Sequence, residues 1–357
     1  MNAKLKQQRI AQRFFAIVER MRSAGLVDEI VELENDIDAV RDPKLKGEIA
    51  RLLGFFWLRR GDPVKALKYS DIAAGLLPDN SECVYNAIYA LFKQGRQDEV
   101  VKRARAAIRR FGESFEWHNI ACTALGALGR LEEAREHGSR SLELKHALTA
   151  SQEAGYPPSG CKVPAFDPTR PERNVISFSL FGQQRKYVDG ALLNAQAAGF
   201  VYPGWTCRFY VDDSIPDGIA ARLAALGAEV KLLPKLAAQP YGTFWRFLVS
   251  DDLNVDRFVV RDADSLINVR EAAAVQEWIA SGRHFHVMRD YHNHSELVLA
   301  GMWGGVRGAL PKLLPLATQF LGASKGVLNR TADQEFLRLR LWPIIRRSAL
   351  IHDSQFT

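Results

Sequence analysis

Three glycines in the first half of the chain, Gly61, Gly95 and Gly129, stand 34 residues apart. Ala66, Val100 and Ala134 keep the same step, as do Ala73, Ala107 and Ser141. A period of this length belongs to a helix–turn–helix unit that cannot bury its apolar face alone and has to stack on its neighbours. In the clearest unit, GEIARLLGFFWLRR (47–60) and VKALKYSDIAAGLL (64–77) supply the two helices. Small residues at the repeating positions let the helices approach, and Gly61, Gly95 or Gly129 makes the turn between them. An all-α helical repeat domain over residues 1–150 is the consequence.

This region resembles tetratricopeptide repeats. The best copy carries Leu53-Gly54, Trp57, Ala66, Ala73 and Pro78, and Gly25-Leu26-Val27-Asp28-Glu29 reads as a degenerate earlier copy, so that the resemblance covers residues 11–146. Such a stack presents a concave face that takes a peptide, a protein partner or a second copy of itself. The plainer alternative is a rigid spacer.

Residues 151–173, SQEAGYPPSGCKVPAFDPTRPER, are rich in Pro and Gly and lack periodicity, which marks a linker. Beyond it strands and helices alternate over 174–357. NVISFSLFG (174–182), TCRFYVDD (206–213) and AEVKLLP (228–234) read as strands, with helices at 186–200 and 218–227 between them. FWRFLVSDDL (244–253) predicts a helix, RFVV (257–260) a buried strand, and EAAAVQEWIASG (271–282) a further helix. This is the pattern of an α/β sheet, whose ligands bind beyond the carboxyl ends of its strands.

Asp262 and Asp264, in RFVVRDADSLI (257–267), stand at such a strand end. Together they suit a hard divalent cation that also takes oxygens from a diphosphate. The spacing alone is weak, and Asp36-Ile37-Asp38 has it too, in the helical region, where a solvated polar face explains it. Strand-end context separates the two.

Composition excludes other classes. The chain of 357 residues is 47% hydrophobic and 25% charged, enough for two sizeable cores. MNAKLKQQRIAQRFF is basic without an apolar signal core, and no apolar run approaches the ~20 residues that span a bilayer. A cytoplasmic location is expected, with at most peripheral contact at the inner membrane. The net charge of +7 favours anionic partners, but no dense basic run with interleaved aromatics marks a nucleic-acid face. Cys83, Cys122, Cys161 and Cys207 form no C-x-x-C pair, so buried or free thiols are expected rather than zinc ligands.

The order of features after residue 174 resembles GT-A glycosyltransferases of the glycogenin and galactosyltransferase type, with a Rossmann-like domain. FWRFLVSDDLNVDRFVVRDADSLINVREAA resembles that family's helix with an Arg, strand, D-x-D and return into helix. HVMRDYHNHSELVLAGMWGGVRG is similar to its acceptor-side segment, TADQEFLRLRLWP to its Asp-Gln helix, and IHDS to its late metal-binding His, over residues 174–354. The resemblance implies transfer of a hexosyl group from a nucleotide-diphosphate sugar to a glycan, as in polysaccharide biosynthesis, or to a protein. Asp262, Asp264 and His352 would hold Mn²⁺ or Mg²⁺, with Asp262 also facing the ribose. Ser179, Leu180 and Phe181 would contact the nucleotide, partly through the backbone, and Arg246 would reach the diphosphate or lie near the metal site. Gly301 and Gly304 would allow close approach of a sugar, and Trp303 a face to stack on. Asp333 and Gln334 would lie at the reaction centre, where a carboxylate takes the acceptor proton or supports a cationic sugar.

Several residues have other readings. Arg246 could pair with Asp251 or Asp252, His352 could be solvated, Trp303 could be core, Asp212 and Asp213 could cap a loop, and Asp290 could serve as base in place of Asp333. Leu299-Ala300-Gly301-Met302-Trp303-Gly304 departs from the Asn-Ser-Gly run of the glycogenin type, and the first strand lacks that type's acidic nucleotide contact. Two other functions compete. One is a non-catalytic repeat adaptor with a degenerate GT-A domain. The other is a haloacid-dehalogenase-type phosphatase, since DADSLI resembles its nucleophile motif, although that motif ends a first strand and here three strand candidates precede it.

Overall fold

The computed structural model describes residues 3–20, 27–151, 161–233, 242–323 and 331–356. Gly25 and Leu26 of the degenerate repeat and positions 152–160 of the expected linker lie outside them. The chain forms two compact units, Met1–Ser141 and Leu142–Thr357.

The first unit is helical: α1 (Ala3–Arg20), α2 (Val27–Asp36), α3 (Pro43–Arg60), α4 (Pro63–Leu76), α5 (Ser81–Lys93), α6 (Gln97–Phe111), α7 (Phe115–Ala127) and the start of α8 (Leu131–Ala147). Helix starts are written in the sequence. The Asp42, Asp62 and Asn80 side chains accept from the backbone N–H of Lys44, Lys65 and Glu82, and Pro43 and Pro63 stand in first turns, where no N–H is needed. Gly61, Gly95 and Gly129 adopt φ of 77°, 74° and 74° at the turns, the left-handed region that disfavours a side chain. Ala66, Val100, Ala134, Ala73, Ala107 and Ser141 are all buried. A Cβ on Gly54 would come within 2.5 Å of Ser70 Oγ, so α3 and α4 touch through a side chain that is missing. Of the helical Asp pair only Asp38 is solvated, exposed near Lys46; Asp36 is half-buried and pairs with Arg13 at 3.1 Å.

Among the described residues the second unit is built on a seven-stranded sheet. Along the chain come β1 (Asn174–Leu180), α9 (Arg185–Val201), β2 (Thr206–Val211), α10 (Ile219–Ala225), β3 (Glu229–Leu232) and β4 (Arg257–Arg261). Then follow α11 (Val269–Ser281), β5 (Phe285–Arg289), β6 (Met302–Val306), α12 (Leu313–Ala323), α13 (Ala332–Phe336), α14 (Trp342–Ile345) and β7 (Ala349–Asp353). β1 pairs in parallel with β2 and β4; β6 runs antiparallel to β4 and β5; β7 is parallel to β5. Val175, Ile176 and Phe178 of β1 and Phe258, Val259 and Val260 of β4 are buried, as a strand covered on both faces requires. The helix expected over 244–253 is a 3₁₀ helix, Gly242–Asp251.

Two boundaries shift. Leu142–Ala147, the end of α8, falls in the second unit, where the buried Lys145 ammonium donates to Glu296 at 2.8 Å. Residues 161–173 of the expected linker are packed, not free. Phe166 lies against Trp205, Pro164 O accepts from Arg257 at 2.9 Å, and Cys161 O is 3.0 Å from His284 Nε2. None of the four cysteines is in a disulfide; Cys83, Cys122 and Cys207 are buried. Among the described residues no helix is long and apolar enough to cross a membrane.

Candidate functional site

β1 leads by α9 to β2 on one side, while β4 pairs on the other, so the chain reverses direction across the sheet between β1 and β4. A crevice opens beyond the carboxyl ends of two strands at such a point. A cavity of about 460 Å³ lies there, lined by Ser179, Phe181, Lys186, Tyr187, Arg246 and Asp262 among others.

Arg246 organises it. Its guanidinium donates through one terminal nitrogen to Asp262 Oδ1 and through the other to Asp333 Oδ2 at 2.9 Å. The residue is 5% exposed, and its Nε finds no hydrogen-bond partner among the described residues. β1 fixes its backbone: Ser177 Oγ donates to Arg246 O at 2.7 Å, and Arg246 N donates to Ser179 Oγ at 2.9 Å. Ser179 Oγ is the acceptor in this bond, which does not commit its hydroxyl hydrogen, and Ser179 lines the cavity. Neither alternative partner of Arg246 is used. Asp251 accepts from the N–H groups of Leu313 and Leu314 at the start of α12, and Asp252 pairs with Arg208 at 2.8 Å.

Asp262 and Asp264 leave β4 in a turn closed by Ser265 N donating to Asp262 O at 3.1 Å. Asn194 of α9, fully buried, clamps this turn with both ends of its carboxamide. Its nitrogen donates to Ala263 O and Ser265 O, and its oxygen accepts from Ile267 N at 2.9 Å. A Cβ on Gly190 would run into Ala263 O, and a Cβ on Gly301 into the Asp262 carboxylate. Asp264 Oδ2 accepts from Lys186 Nζ at 2.8 Å, which raises the Lys186 pKa. Burial pushes the Asp333 carboxyl above the ordinary aspartate range, Arg246 offsetting it only in part.

Lys186, Asn194 and Gly190 are residues that the sequence reading missed. Their signals were present: Arg185 and Lys186 stand in a first helical turn that holds no acidic residue, and Gly190 and Asn194 share one helix face.

Other expected site residues fall elsewhere. His352 is not beside Asp262 and Asp264. Its Nδ1 lies 3.0 Å from His286 Nε2 and its Nε2 3.0 Å from Glu277, in a separate cavity of about 320 Å³ with Arg270 and Asp290. Asp290 is engaged there by Arg270 and His294, away from Asp262. Among the described residues no group of three or more His, Cys, Asp and Glu is disposed to hold a metal ion. Trp303 is core: fully buried on β6, it packs edge-on against Phe247 and Phe258. Gly304 faces no ligand, since a Cβ there would lie 2.6 Å from Phe258 O of the paired strand β4. Leu180 is also core, at 1% exposure, whereas Phe181 is 41% exposed at the cavity rim. Asp333 has both oxygens engaged, by Arg246 and by Gln334 N at 2.9 Å. Asp212 caps its loop, accepting from Ser214 N.

The fold and site define a helical unit joined to an α/β unit with a charged crevice at its strand ends. No protein-family model matches the chain, and no curated protein matches it. Among solved structures it is similar to an O-GlcNAc transferase variant from Thermobaculum terrenum, at 17% identity and a TM-score of 0.31, over 60% of this chain and 45% of that one. The chain thus spans under half the length of that protein, and a likeness of this depth carries no weight for the site.

Proposed function

We propose that the α/β unit is a GT-A-type glycosyltransferase that takes a nucleotide-diphosphate sugar into the β1/β4 crevice and passes the sugar to a glycan or protein acceptor. The repeat unit recruits that acceptor or a partner. One observation carries the reading: Asp262, Asp264, Arg246 and Lys186 converge at the carboxyl ends of the strands where the sheet reverses.

The residues fit a divalent cation in a restricted way. Asp262 and Asp264 offer exposed carboxylate oxygens, and two carboxylates with substrate phosphates and water complete a Mg²⁺ or Mn²⁺ shell without an imidazole. Gly301 leaves the room that the Asp262 carboxylate occupies. Such a cation supplies positive charge for the departing diphosphate. Arg246 adds a fixed, buried positive charge that does not have to reorganise as the bond breaks. Phe181 offers an exposed ring to the base or sugar, steadied edge-on by Trp245. Asp333, enclosed behind Arg246, acts by positioning it.

A non-catalytic adaptor is favoured by a single observation, that both carboxylates already hold a cation of the chain itself. The phosphatase reading has the triplet on the wrong strand, the fourth in chain order rather than the first.

Thermal shift with a panel of nucleoside diphosphates, with and without Mn²⁺, separates these. A ligand at ~100 times its dissociation constant adds ~2.7 kcal/mol of stability. The wild type should gain in the presence of Mn²⁺ and Asp264→Asn should not, though it folds normally. Equal gains in both would remove the metal from Asp264, and no gain from any nucleotide would leave the adaptor.

A further inference from the structure

Lys186 stands where a helix tolerates a cation poorly. It occupies the first turn of α9, a 17-residue helix with Arg185 beside it and no acidic residue in that turn. The amino end of a helix carries partial positive charge, so this arrangement is unfavourable for the helix itself. The carboxylate that offsets it lies outside α9, where Asp264 Oδ2 accepts from Lys186 Nζ at 2.8 Å; within the helix the ammonium lies 4.2 Å from the Tyr187 ring centre.

The two members of the Asp pair are countered differently. Arg246, on Asp262, is buried, carries a second carboxylate and has its backbone tied to β1. Lys186, on Asp264, is 55% exposed at its side chain and, among the described residues, has a single carboxylate partner. A flexible, hydrated ammonium leaves such a pair readily, whereas a buried guanidinium forked between two carboxylates, one of them buried, does not. An exposed pair of this kind is weak, so a divalent cation displaces it at small cost.

We propose that Lys186 is a movable counter-ion, which neutralises Asp264 while the crevice is empty, yields that carboxylate to a divalent cation, and then lends its charge to the diphosphate of the donor. The inference rests on the glycosyltransferase reading above, and deepens it by assigning a competition at the same carboxylate. It makes the metal and the donor respond in opposite directions to the loss of one side chain. A Lys186 that merely stabilised the fold would move both the same way or neither.

The test uses the full chain and two probes, Mn²⁺ alone, followed by the electron paramagnetic resonance signal of the free ion, and a nucleoside diphosphate at saturating Mn²⁺, followed by calorimetry. Lys186→Met should bind Mn²⁺ about 2- to 5-fold more tightly than the wild type, the span expected for an exposed ion pair. The same variant should bind the diphosphate several-fold more weakly, and Lys186→Arg, which keeps the charge, should move both values back toward the wild type. Unchanged or weaker Mn²⁺ binding by Lys186→Met overturns the competition and leaves the glycosyltransferase reading standing. A wild type that takes up neither Mn²⁺ nor a diphosphate overturns both.

Discussion

Asp262 and Asp333, one from the end of β4 and the other from the short helix α13, are held by the two terminal nitrogens of a single guanidinium. The bridge makes the crevice and the C-terminal helices of the α/β unit one electrostatic object. Asp333 is buried enough that Arg246 is the chief reason it can remain charged.

Removing that guanidinium should therefore be costly. Arg246→Ala leaves a buried carboxylate uncompensated, a change worth roughly 3–5 kcal/mol in comparable sites. Urea denaturation should show a loss of that order, and adding Asp333→Asn should recover part of it. Strict additivity of the two changes would show that they do not share a network.

At the far edge of the sheet, His352 is occupied by His286 and Glu277. His352→Ala should consequently leave the Mn²⁺ requirement of nucleotide binding where it was. A rise in the Mn²⁺ needed would return the imidazole to the metal.

Gly301→Ala addresses the room around Asp262. The added methyl group would overlap the carboxylate, and Gly301 does not have the left-handed backbone that would strain the substitution by itself. Diphosphate binding should fall about tenfold or more while the melting temperature changes little. Normal binding would mean that Asp262 can move aside without consequence.

In the repeat unit, burial beside His118 pushes the His137 pKa down to about 4. A histidine depressed in the fold contributes stability that is fully present above its unfolded value of ~6.5 and is lost as pH falls through the folded value. Stability of the chain should decline over that window, and His137→Gln should flatten the slope. A slope that persists in the variant would assign the acid sensitivity to other groups.

The repeats were legible because their determinants are local. A positive φ at Gly61, a cap at Asp62 and a small residue at Ala66 can each be read within a few positions of one another. The strands β1, β2 and β4 were legible as apolar runs for the same reason. Arg246's partners were not, because Asp251 and Asp252 are near in sequence and Asp333 is not; the fold, not the spacing, decides between them. Trp303 misled in a related way, since flanking glycines serve equally for a sugar's approach and for the close pairing of β6 with β4. His352 had the expected order in the chain, but β7 pairs with β5 and carries it to His286 instead. Lys186 needed a negative signal, the absence of acids from a helix start.

The clamp of Asn194 on the turn after β4 bears on how chains of this kind can be searched for. An Asp-x-Asp triplet is too short to be diagnostic, but here it is inseparable from a glycine and an asparagine spaced four apart on the preceding α9, the first admitting the turn's carbonyl and the second binding it. The turn is thus shaped during folding, so a ligand arriving there does not have to order the loop, and the associated entropic loss does not weaken binding. A sequence scan that adds Gly-x-x-x-Asn upstream to the Asp-x-Asp requirement passes over the helical Asp36-Ile37-Asp38 and selects Asp262-Ala263-Asp264, whose turn is clamped through its backbone.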